Sequence, residues 1–189
     1  MSIDAKQQQT TVNVQEKANL IWAIADKLVG VYKPHEYGNV ILPMCVIKRF
    51  EDTLAPTREK VLETNKELDE KKIDMKRGFL ERAAGQKFYN LSRFTFETLL
   101  ADADNIKDNF ESYLNHFSEN VIDIIHRMEF QKEIDKMADN GLLYLVIKEF
   151  CTTKAYLGAD KVSSVDMGYI FEELVRKFSE SYDEQAGAH

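Results

Sequence analysis

The chain has 189 residues, 44% of them hydrophobic, enough for one domain or two small ones with a real core. Its net charge of −7, from 25 basic and 32 acidic residues, excludes a polycation that electrostatics alone would drive onto DNA or an anionic membrane. With only 8 glycines and 3 prolines, a turn-rich β fold is disfavoured.

Residues 1–14 are polar, lack a charged-then-apolar signal pattern, and read as a flexible N-terminal leader. From Gln15 the pattern becomes helical. Leu20, Ile21, Ile24, Leu28, Val31 and Tyr32 recur at steps of one, three and four, forming one stripe that Gly30 and Pro34 bracket. "NVILPMCVIKRFEDTL" is the next helix. If it starts near Tyr37, Pro43 falls past the first turn and a kink is expected. Pro56 opens "PTREKVLETNKELDEKK", a charged helix anchored by Val61 and Leu68, read as a solvent- or partner-facing rod. Gly78 and Gly85 flank a short helix, "FLERAA".

In "YNLSRFTFETLLAD" Phe94 and Phe96 alternate, which leaves a short β element open; Ser92 or Thr95 could equally cap a helix through Leu100. Asp104 or Asn105 could cap "IKDNFESYLNHF", and Ser118 could cap "ENVIDIIHRMEF". Asn140 and Gly141 end the next helix. "LLYLVIKEFCT" is continuously apolar, and a buried helix is preferred to a strand because its neighbours are helical. Ser163 with Asp166 resembles a capping box. It opens the most regular stripe in the chain, Met167, Ile170, Phe171, Leu174, Val175 and Phe178, which has to dock on something. The expectation is all-α: a compact bundle of about seven or eight helices over 15–182, with 183–189 starting a linker.

Chemistry is sparse. There is no Gly-rich phosphate loop, GxGxxG, HExxH, CxxC or GxSxG. Cys45 and Cys151 lie far apart in apolar runs, as free thiols of a reducing compartment do. His35, His116, His126 and His189 lie at no metal-ligand spacing with them. Glu172/Glu173 and Asp69/Glu70 read as solvated helix faces. His126 could serve as a base, although a helix-surface or core-edge histidine is commoner; Tyr182 could meet a ligand or sit on a frayed helix end. No residue is assigned to catalysis, a cofactor or a metal. The longest apolar runs, "VILPMCVI" and "LLYLVI", are too short to span a bilayer, so a soluble cytoplasmic chain is expected.

One charge asymmetry stands out. Between positions 71 and 93, Lys71, Lys72, Lys76, Arg77, Arg82, Lys87 and Arg93 face only Asp74 and Glu81, with Phe79, Phe88 and Tyr89 interleaved. Between 94 and 125, Glu97, Asp102, Asp104, Asp108, Glu111, Glu119 and Asp123 face only Lys107. A basic segment inside an acidic protein is either a phosphate-contacting patch or a solvated face whose charges pair internally.

Two blocks carry a family likeness. In "LIWAIADKLVGVYKPHEYGNVILPMCVIKRFEDTL" the residues are Trp22, Ala25, Asp26, Leu28, Gly30, Tyr37, Val40, Ile41, Leu42, Pro43, Lys48, Arg49 and Asp52. In "MGYIFEELVRKFSES" and the following Ala-Gly they are Gly168, Tyr169, Phe171, Glu172, Leu174, Phe178, Ala186 and Gly187. Together they resemble the N-terminal helical domain of the methyltransferase (modification) subunit of type I restriction–modification systems. The likeness spans nearly the whole chain. It implies a subunit that transfers a methyl group from S-adenosylmethionine to an adenine amino group in DNA. It also implies a catalytic domain after this one, with a Gly-rich donor loop and an Asn-Pro-Pro-aromatic motif; neither occurs here, so this segment is expected to be inert alone. The partners implied are duplex DNA, the specificity subunit, the restriction subunit and the subunit's own catalytic domain. The basic residues from Lys71 to Arg93 are the expected DNA contacts. The competing reading is a stand-alone helical protein–protein adaptor.

Overall fold

The computed structural model describes residues 3–187, with side chains over 13–180. Among these residues there are helices and no strand, so the all-α expectation holds. α1 (Ile3–Ala23) takes in most of the segment read as a leader and passes into a tighter 3₁₀ turn, Ile24–Leu28. The apolar stripe survives this change of pitch: Ile21, Ile24, Leu28 and Tyr32 are all buried. α2 (Tyr37–Leu54) runs through the core, burying Val40, Ile41, Met44, Cys45 and Ile47. It continues through Pro43, which cannot offer an N–H to the Asn39 carbonyl one turn back.

α3 (Arg58–Glu70) and α4 (Arg77–Ala84) pack together as a hairpin, joined to α2 by the short 3₁₀ turn Ala55–Thr57. α3 buries only Val61 and Leu68, seven residues apart on one face, as expected of a polar rod. A four-residue turn, α5 (Phe96–Leu99), leads to α6 (Ile106–Asn115), α7 (Glu119–Arg127), α8 (Gln131–Asp139) and α9 (Leu143–Phe150). Where a β element was open, Thr95 caps α5 by accepting the Thr98 N–H at 3.1 Å. Only an isolated antiparallel bridge, Asn90 with Phe117, lies nearby. Phe96, Phe110, Tyr113 and Phe117 meet largely edge to face in this half of the core. Ser118 stands at the α7 N-cap position but turns its hydroxyl to Asn120.

α10 (Ser164–Gly187) docks its stripe on α1 and α2. Met167, Ile170, Leu174 and Phe178 are buried, while Val175 stays in solvent. Trp22 packs on Phe178 at 4.8 Å between ring centroids. The Asp166 N–H donates to the Ser163 hydroxyl, the capping contact expected there. Tyr182 and the Ala186–Gly187 pair fall where side chains are not described. No helix among the described residues is long and apolar enough to cross a membrane.

Candidate nucleic-acid interface

The α3–α4 hairpin carries the basic segment. α3 ends with the Lys72 N–H donating to the Asp69 carbonyl at 3.0 Å and the Ile73 N–H to the Leu68 carbonyl at 2.9 Å. This paired closure requires a left-handed residue between, normally glycine. Here it is Lys72, at φ +56°. At the end of α4 the same closure falls on Gly85, at φ +67°. The hairpin tip therefore holds two exposed lysines, Lys71 and Lys72, one of them in a conformation lysine disfavours.

The seven basic residues do not form one cluster. Lys71 and Lys72 lie at the tip, whereas Arg93 lies beside the start of α3, where Arg58 donates to its carbonyl oxygen. Those two ends are separated by the length of a 13-residue helix, about 20 Å. Lys87 sits in the link after α4, its carbonyl accepting from the Asn120 side chain. Two of the seven are engaged internally. Lys76 pairs with Asp69 and donates to Asn65, and Arg77 pairs with Glu81 at 2.8 Å. Arg82 stands over the Phe79 ring, 5.7 Å from its centroid. Among the described residues, Lys71, Lys72, Lys87 and Arg93 are exposed and form no ion pair. Internal pairing thus accounts for Lys76 and Arg77 and leaves Lys71, Lys72, Lys87 and Arg93 without an ion pair among the described residues. Lys60 and Lys66, also exposed on α3, escaped the sequence reading because Glu59, Glu63 and Glu67 mask them in any local charge count.

Lys76, Arg77 and Arg82 do share one feature. They line an open groove of about 520 Å³ with Met75, Phe79 and Tyr89. Met75 is 88% exposed and Phe79 45% exposed, and Leu80 below them is buried. The acidic residues Glu97, Asp102, Asp104, Asp108, Glu119 and Asp123 are exposed on and around α5–α7.

The motif residues of the first likeness block have structural work. Lys48 and Asp52, one turn apart on α2, form a buried ion pair. Asp52 also accepts the Leu157 N–H at 2.9 Å. Arg49 donates to the carbonyls of Leu157 and Val162, and Lys17 on α1 donates to the Tyr156 carbonyl at 2.7 Å. Three polar side chains, Asp52, Arg49 and Lys17, thereby clamp the segment that joins α9 to α10, with Lys48 holding Asp52 in place. Next to them, Glu51 turns its carboxylate inward and accepts from the Phe96 N–H and, at 3.1 Å, the Tyr113 hydroxyl. Burial outweighs these two donors and pushes its pKa up to about 7.

His126 is exposed at the rim of a cavity of about 130 Å³ walled by Leu114, Ile122, Ile125, Phe130 and Ile134. Cys45 is buried, Cys151 half-buried, and both thiols are free, their pKa values raised by burial. Among the described residues no group of three His, Cys, Asp or Glu could hold a metal ion. Gly30, Gly85 and Gly141, the glycines at positive φ among the described residues, each serve an isolated turn.

Residues 17–150 match the family model described as the HsdM N-terminal domain. The chain belongs to this family. It is an N-terminal domain of the methyltransferase subunit of type I restriction–modification systems, part of a DNA methyltransferase. No curated protein and no solved structure matches the chain. The span matched to the HsdM domain contains the α2 clamp residues, the α3–α4 hairpin and the groove. α10 lies beyond it, although its apolar stripe completes the core.

Proposed function

We propose that this HsdM N-terminal domain is a non-catalytic DNA-contacting module, with Lys71, Lys72, Lys87 and Arg93 as its phosphate contacts. The observation that carries the reading is that these four cations, at the hairpin tip and in the segment after α4, stand exposed and form no ion pair among the described residues, while the rest of the protein is acidic. Duplex DNA presents one charge per roughly 1.7 Å of axis, so cations spread over about 20 Å can meet several phosphates. Such contacts hold and orient the duplex without reading its sequence. Lys76 and Arg77, already neutralised by Asp69 and Glu81, have a smaller part. The whole subunit, on this reading, transfers a methyl group from S-adenosylmethionine to the adenine amino group, and the donor is held outside the residues described here. This domain packs against the catalytic domain and the specificity subunit, in a cytoplasmic complex that also takes the restriction subunit.

The test is binding of the purified chain to short labelled duplexes of unrelated sequence, with and without added methyl donor. Similar affinity for all sequences, falling steeply with salt, and no methyl transfer are expected. Methyl transfer by the chain alone, or affinity indifferent to salt, would overturn the reading.

A further inference from the structure

The groove on α4 is built differently from the phosphate-contacting surface around it. Phosphate contacts need cations only, and an apolar side chain held in water contributes nothing to them. Yet Met75 and Phe79 stand exposed side by side, with Tyr89 as a further aromatic wall. The cations beside them, Lys76 and Arg77, have internal carboxylate partners, so their charge is largely spent within the protein. Arg82 lies over Phe79 and gives a layered pair of guanidinium and ring.

A flat π-face next to an anionic backbone is the ligand that matches this combination. Bases stack on aromatic rings whatever their identity, and Met and Phe are among the apolar side chains that wedge between base steps and unstack them. We infer that the Met75–Phe79–Arg82 groove takes an unstacked DNA base, while the unpaired cations around the hairpin hold the flanking phosphates. The inference rests on the DNA-contacting reading and goes further by naming the state of the DNA that is bound.

The experiment compares an intact labelled duplex with the same duplex carrying one bulged fluorescent purine analogue. Stacking of a base is worth about 1–3 kcal/mol, so the bulged duplex should bind about fivefold tighter or more, with a change in the analogue's emission. In Met75→Ser/Phe79→Ser the affinity ratio should fall to about one and the emission change should vanish. Phe79→Trp, which keeps a ring, should retain both, and this separates stacking from damage to the fold. Equal affinity of the wild type for the two duplexes, with the salt dependence intact, overturns the base-stacking inference and leaves the phosphate contacts standing. Absence of salt-dependent binding to either duplex overturns both. If the double variant keeps its bulge preference but no longer binds the specificity subunit, the groove belongs to a protein partner and the inference fails.

Discussion

Lys72 and Glu51 each occupy a position that chemistry disfavours. Lys72 adopts φ +56° at the end of α3, where glycine avoids the clash between Cβ and backbone. Lys72→Gly should therefore raise stability by about 1 kcal/mol in urea unfolding and at the same time weaken DNA binding. A gain in stability with DNA affinity unchanged would mean the lysine is kept for some other reason. Glu51 poses the opposite problem, a carboxyl whose pKa is raised from 4.5 to about 7 by burial. The folded protein holds a proton there that the unfolded chain releases, so this group's contribution favours folding most below pH 4.5 and falls until about 7. Glu51→Gln removes that fall. The stability difference, variant minus wild type, should grow as pH rises through this window and level off above it. A difference independent of pH would show that the carboxylate is not held in a disfavoured environment.

At the scale of elements, the α9–α10 segment is held by α1 and α2 through polar side chains. Asp52 is central, accepting from Lys48 and from the Leu157 N–H. Asp52→Ala leaves Lys48 buried without its partner and should cost about 3–5 kcal/mol, measured by denaturant unfolding. Replacing both members with apolar residues should recover much of that loss; if it does not, the segment depends on the charges themselves. Some elements were legible in sequence and others were not, for definable reasons. Val61 and Leu68 identified the buried face of α3 because seven residues make almost two full turns. Thr95 was one of two possible caps for α5, and the sequence left a β element open because alternating Phe94 and Phe96 fit both structures. The 3₁₀ turn at Ile24–Leu28 was hidden, since its apolar spacing serves a helix of either pitch. The turn at Lys72 was hidden too, because left-handed positions are sought at glycine.

At the scale of the molecule, the basic segment was visible as a composition bias, but its organisation was not. Asp69 and Lys76 are seven positions apart and meet only because the hairpin folds back, so no reading of α3 alone separates spent cations from free ones. The groove depends on the same fold-back: Tyr89 and Leu91 reach Met75 and Phe79 from beyond α4. What emerges is an acidic helical domain with a hairpin of exposed cations and an acidic flank around α5–α7. The decisive measurement is the slope of log affinity for duplex DNA against log salt, for the wild type and for Lys71→Ala/Lys72→Ala/Lys87→Ala/Arg93→Ala. Each phosphate contact contributes about 0.9 to that slope, so the fourfold variant should lose about 3 to 4 from its magnitude. An unchanged slope in a folded variant would contradict the assignment of the hairpin to DNA.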